Sequence, residues 1–161
     1  MATRPEQLYA KDFYAWTRDQ ARALRRLTDA HWNGPLDLVH LADEVEDLGT
    51  AARNAVRSQV ERIIEHALKL AYSVAAEPRA GWMNSIDDAR GRIEDMLTAT
   101  IRRDLEAYLP RLFERARRKV VRELSAHGEH DAAAVPRRCP HTLDDLLAED
   151  WYPENRHGLT P

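Results

Sequence analysis

Apolar residues recur along this chain at spacings of three and four, and strict alternation is never sustained, so the pattern predicts helices and no sheet. The first stripe runs from about Pro5 to Leu27, with Leu8, Phe13, Trp16, Leu24 and Leu27 on one face. His31-Trp32-Asn33-Gly34-Pro35 breaks it. Asp37 is placed to cap a second helix carrying Leu38, Leu41, Val45 and Leu48. Beyond Gly49 and Thr50 the stripe resumes through Val56, Val60, Ile63, Ala67, Leu70 and Val74. An unbroken helix over 37–76 would measure about 60 Å at 1.5 Å per residue. A compact domain of this size has a radius of gyration of only about 15 Å. That mismatch, with Gly49 as a C′ residue and Thr50 as a new cap, predicts a kink or break there.

Glu77-Pro78 ends the second run, and Gly81-Trp82 reads as a short turn. Ser85 with Asp88 resembles a capping box opening a third run through Ile86, Ile93, Ile101, Leu105 and Tyr108. Pro110 predicts either a kink or the first residue of a fourth helix, which continues through Leu112, Phe113, Ala116, Val120 and Leu124. His127-Gly128 reads as its stop and 129–141 as loop. Thr142 and Asp145 form a second box before a short helix with Leu143, Leu146 and Leu147. The expected fold is an all-α bundle of about five helices with a short C-terminal helix, in one domain over 1–161.

Composition narrows the function classes. Six glycines and eight prolines, placed at the punctuation points, argue against an all-β or loop-rich chain. One cysteine, Cys139, excludes an internal disulfide framework and fits a reducing, cytoplasmic setting. No apolar stretch approaches the roughly 18 residues of a membrane span. Gly-rich phosphate loops and Ser-nucleophile elbows are absent. The net charge of -3 hides a separation. Residues 102–122 hold eight basic and three acidic side chains, whereas Asp43, Glu44, Glu46 and Asp47, and later Asp144, Asp145, Glu149 and Asp150, form acidic blocks. Arg111, Arg115, Arg118 and Arg122 share one helical face. Such a stripe can bind phosphates of a nucleic acid, or carboxylates of a neighbouring helix or second chain. With net negative charge and no nucleic-acid motif, a solvated face or a protein contact is expected rather than nucleic acid.

Two sets of side chains are candidates for chemistry. Glu44, Glu46 and His66 are the catalytic candidates, and His40, Glu44 and His66 the candidate ligands of a divalent metal in a metal-assisted hydrolase. Against this, the Glu-x-x-His pairs of di-carboxylate metal bundles are missing, which favours a structural His66 bonded to a carboxylate and no cofactor. His127, His130, Cys139 and His141 offer four zinc-type ligands in 15 residues, but Cys-x-His is tighter than ordinary zinc spacing. Cys139 as a nucleophile has Arg138 beside it and no base defined by the sequence.

Four blocks taken in order carry a resemblance. They are Asp12-Phe13-Tyr14-Ala15-Trp16 with Gln20-Ala21, then Leu41-Ala42-Asp43-Glu44-Val45-Glu46-Asp47-Leu48-Gly49, then His66-Ala67-Leu68-Lys69, then Cys139-Pro140-His141-Thr142-Leu143 running into Glu149-Asp150-Trp151-Tyr152-Pro153. With them the chain resembles the bacterial domain of unknown function family twenty-nine. The family usually has Glu where Asp43 stands and an aromatic where His141 stands. The resemblance implies a small helical bacterial protein and brings no established activity. The functional expectation is a self-associating protein-interaction module, with a homo-oligomer or another protein as partner, and neither membrane nor cofactor.

Overall fold

The computed structural model describes residues 5–160. Their regular elements are all helical, with no strand among them: α1 Pro5–Lys11, α2 Phe13–Asp29, α3 Leu38–Tyr72, α4 Arg79–Glu94, α5 Ala99–Ala126 and α6 Leu143–Leu147, plus a 3₁₀ turn at His130–Ala134. The chain divides into two compact units. The first runs through Ala55 and takes in Leu97–Arg103; the second is Val56–Met96 with Asp104–Pro161.

In the first unit the expected single opening helix is two, because Asp12 leaves helical geometry at φ -151 and its Oδ1 accepts from Ala15 N–H at 2.9 Å. Its Oδ2 accepts from Thr100 N–H at 2.9 Å, so one carboxylate caps the starts of α2 and α5 together. Burial works to raise the pKa of Asp12, but the hydrogen bonds from Ala15 and Thr100 prevail and hold it below the usual value. Tyr9 of α1 meets Trp16 edge-on at 4.8 Å, seating α1 on α2.

Helices α2 and α3 form an antiparallel pair, with Arg53 donating to the Tyr14 hydroxyl at 3.2 Å at one end and Arg25 reaching Asp43 and Glu46 at the other. Asp37 caps α3 as expected, accepting from His40 N–H at 3.2 Å. The expected break at Gly49 is absent, and α3 is continuous from Leu38 to Tyr72. Gly49 is there for close approach: a Cβ on it would lie 2.0 Å from Thr17 Oγ1 and 3.2 Å from the Tyr14 ring.

The second unit is built on α3, α4 and α5, which bury Ile63, Leu70, Ile86, Leu105, Leu112 and Phe113 almost completely. Each such side chain contributes about 1.5–3 kcal/mol. Helix α4 begins at Arg79, before the expected start, with Gly81-Trp82 inside it rather than in a turn. Ser85 is internal and donates to Gly81 O at 2.9 Å instead of capping. The third stripe is interrupted after Glu94, and Thr98 Oγ1 caps the restart by accepting from Ile101 N–H at 3.2 Å. Pro110 starts no new helix; it lies inside α5. The Thr142–Asp145 box is reciprocal, at 2.8 and 3.1 Å. Gly128 takes φ +71 just beyond α5, the stop read from the sequence.

Two arginines attach the C-terminal segment. Arg90 is 8% exposed and donates to the carbonyls of Leu146, Glu149 and Trp151 at 3.0, 3.0 and 2.7 Å. Arg79 is equally hidden and donates to Leu70 O at 3.0 Å, a carbonyl that also accepts from Asn155 Nδ2 at 2.7 Å. The end of α3 thereby finds donors that its own helix cannot provide.

Candidate functional site

In the first unit the acidic block is partly consumed by structure. Arg25 holds Asp43 and Glu46 at 2.9 and 2.7 Å, while Glu44 and Asp47 remain exposed without an ion pair among the described residues. His40 turns its Nδ1 to Asp37 Oδ2 at 2.6 Å. That bond, with the field of Asp37, raises the imidazole pKa. Along α3 the buried face is taken by Leu38, Ala42, Gly49 and Val56, and this rotates part of the expected core stripe outward. Leu41 is 40% exposed and Leu48 56%, with half-buried Val45 between them on the same face.

The candidate trio does not come together. About six helical turns of α3 separate Glu44 from His66. His66 is half-buried with Nδ1 lacking any hydrogen-bond partner, rather than bonded to a carboxylate. Burial first, then the positive charge of Lys69, pushes its pKa down, so the ring is neutral. Among the described residues no three His, Cys, Asp or Glu side chains group closely enough to hold a metal ion. Of the zinc-type ligands, His127 directs Nδ1 at Glu123 O, 2.7 Å away, and Cys139 donates its Sγ hydrogen to His141 O at 3.2 Å.

The arginine stripe meets α3 in the second unit. The two helices run in the same direction there and share a ladder at four-residue steps: Glu61 with Arg115 at 2.6 Å, Glu65 with Lys119 at 2.6 Å, and Lys69 with Glu123. Arg57 adds a two-pronged bond to Asp104 at 2.8 and 2.7 Å and lies 3.7 Å over the Tyr108 ring. Arg111 sits 5.7 Å from the same ring. Arg118 and Arg122 are exposed and make no ion pair among the described residues. The acids of the ladder come from neither acidic block singled out in the sequence. The signal that finds them is the matched spacing of Glu61 and Glu65 with Arg115 and Lys119. Arg90 was legible too, as a cation on the apolar face between Ile86 and Ile93.

The second unit also contains a cleft of about 520 Å³. Ala67, Leu68, Ala71 and Tyr72 of α3 form one wall, Phe113 of α5 another, and the segments 139–141 and 151–154 the rest. The His141 ring meets Trp151 edge-on at 4.6 Å. Burial lowers the pKa of His141 and raises that of Cys139, so both are neutral here. Tyr152 is fixed by donating to Asp87 Oδ1 at 2.6 Å, and burial followed by that bond pushes its pKa up to about 12. Residues from the last two blocks of the sequence resemblance, among them Ala67, Cys139, His141 and Trp151, converge on this cleft.

Comparison with known proteins agrees with the helical architecture. A search among curated proteins finds no match. An alpha-helical protein of unknown function from Rhodospirillum rubrum, known from a crystal structure, is 25% identical and superposes with a TM-score of 0.76 over 89% of this chain and 90% of that one. The sequence pattern of the family described as "Domain of unknown function DUF29" matches residues 8–152, and the chain belongs to that family.

Proposed function

We propose that this protein is a helical interaction module that associates with further copies of itself. The observation that carries the proposal is the distribution of exposed apolar side chains. Of the eight large ones among the described residues, all but Val74 lie in the first unit, including Trp32, Leu36, Val39, Leu41 and Leu48. An apolar concentration of this kind marks a contact surface. Its rim is acidic, because Glu44 and Asp47 beside the Leu41–Leu48 stripe have no ion-pair partner among the described residues. The complementary sign is present elsewhere on the same chain, as exposed Arg118 and Arg122 of α5. An acid-rimmed stripe on one copy facing the basic face of another gives a head-to-tail contact, closing as a ring or growing as a chain. Commitment of Arg115 to Glu61 reduces the charge available for nucleic-acid phosphates, which favours the protein-contact use.

Sedimentation over a micromolar concentration series tests this. The wild type is expected to self-associate, less so at high salt. Reversal at Glu44 and Asp47 to Lys, or at Arg118 and Arg122 to Glu, is expected to give monomer, and the chain carrying both reversals to associate again. A wild type that stays monomeric, or reversals without effect, overturns the proposal.

A further inference from the structure

We propose that the cleft of the second unit is a binding site for small arylalkylamines, molecules pairing one aromatic ring with a protonated alkyl nitrogen. Its volume of about 520 Å³ lies within the range of small-molecule sites, roughly 300–1,000 Å³. Room for a ring comes from the sequence: Ala67 and Ala71 stand one turn apart on the wall formed by α3, where larger residues would fill the space. The opposing surfaces are aromatic, from Tyr72, Trp151 and Tyr152, and they are held in place before any ligand arrives. Trp151 is braced against His141, and its carbonyl is bound by Arg90. Tyr152 is tied to Asp87. Such preorganisation reduces the ordering cost of binding.

The polar inventory selects the ligand's charge. Among the described residues no lysine or arginine lines the cleft, and Glu154 is the one acidic lining residue. That carboxylate is exposed and has no ion pair among the described residues. The Cys139 thiol is already directed to the His141 carbonyl, so it has no strong donor for an anion. The guanidinium of Arg90 does not line the cleft; it is occupied by three main-chain carbonyls and lies 5.3 Å from the Tyr152 ring centroid, so that ring already faces a cation and the ligand's charge is left to Tyr72, Trp151 and Glu154. Aromatic faces carry negative potential and attract a cation, and a carboxylate at the rim does the same. The combination accepts a flat apolar ring with positive charge and disfavours an anion. The proposal is independent of self-association, since none of the residues named for the self-contact lines the cleft.

Three probes of one shape and different charge test it on the full chain: 2-phenylethylamine, 2-phenylethanol and 3-phenylpropionate. Each is titrated while the Trp151 indole N–H resonance is followed, assigned through Trp151→Phe. The amine is expected to shift that resonance and to bind about three- to tenfold more tightly than the alcohol, with the carboxylate weakest. Glu154→Gln is expected to bring the amine down to the alcohol's affinity and leave the alcohol unchanged. Ala71→Leu fills the cleft and is expected to abolish all three responses. Should that variant not fold, Tyr72→Ala, which removes one aromatic wall, is expected to weaken the amine at least threefold. The proposal is overturned if no probe moves Trp151 at low-millimolar concentration. It is also overturned if the carboxylate binds as well as the amine, or if Glu154→Gln changes nothing.

Discussion

The two units treat polar and apolar groups in opposite ways. In the first, apolar residues such as Leu41 and Leu48 face outward, and its arginines are exposed or half-exposed. In the second, nearly every large apolar residue is buried or half-buried, and two arginines are buried. The buried cations do not serve a carboxylate chiefly. Arg90 serves main-chain carbonyls of a C-terminal segment that has only the five-residue α6 to satisfy its own backbone, and Arg79 divides its donors between that segment, at Thr160 O, and the end of α3, at Leu70 O. The contrast teaches that local helix content decides where arginine goes. Where helices satisfy their own carbonyls, arginine stays at the surface in ion pairs. Where an irregular segment must be seated, arginine goes inside.

Breaking the second unit should therefore have the largest effect. Arg90→Met leaves three carbonyls without their donor and is expected to cost about 3 kcal/mol in denaturant unfolding, with the chain beyond Leu143 becoming protease-sensitive. A loss below about 1 kcal/mol would mean water replaces the guanidinium and would refute that account.

Next is the first unit's double cap. Asp12→Ala removes two N-terminal hydrogen-bond acceptors and is expected to cost about 2 kcal/mol, near 1 for each helix. Because the folded pKa of Asp12 lies below its unfolded value, its contribution is full above the unfolded pKa and disappears as pH falls through the folded one. Stability measured between neutral and strongly acid pH should therefore fall less steeply in Asp12→Asn than in wild type.

A smaller effect is expected at the α2–α3 contact. A methyl at Gly49 meets Thr17, an overpacking cost of about 1–3 kcal/mol, offset by about 1 from the better helix propensity of alanine. The net loss is expected near 1 kcal/mol, and Thr17→Ala in the same chain should recover part of it. The smallest effect belongs to the ladder: Lys119→Ala, with its partly exposed side chain, is expected to cost no more than about 0.5 kcal/mol. A loss of 2 kcal/mol there would show that the ladder acts as one network.

What the sequence made legible follows the same division. Local chemistry was readable: the Thr142 box, the Asp37 cap and the stop at Gly128 each depend on neighbours within a few residues. Tertiary override was not. Gly49 and Pro110 carry breaker signals, yet both lie inside long helices whose neighbouring residues, Val56 for one and Leu112 and Phe113 for the other, are deeply buried. Ser85 looked like a cap because its short polar side chain serves equally inside a helix. The site was legible only in fragments. Cys139-x-His141 suggested paired ligands, whereas the structure makes the two residues one side of a cleft whose other walls come from residues 64–72, 113 and 151–154. Spacing along the chain cannot reveal such a juxtaposition. Of the arginine stripe only Arg115 finds an acidic partner among the described residues, and that partner, Glu61, sits about fifty residues upstream.

The carboxylate of Asp12 has a consequence in time as well as in energy. Its two acceptor bonds span very different distances, three residues to Ala15 and 88 to Thr100. During synthesis the first forms as soon as α2 emerges, while the second waits until nearly two-thirds of the chain has left the ribosome. Through that interval the opening hairpin has its own apolar residues uncovered and its start only half capped. Closing an 88-residue loop costs entropy that a single hydrogen bond cannot offset alone, so the bond to Thr100 registers that the first unit has folded and does not initiate its folding. A nascent chain halted before Thr100 has cleared the ribosome should therefore be more readily captured by chaperones than one halted after it has.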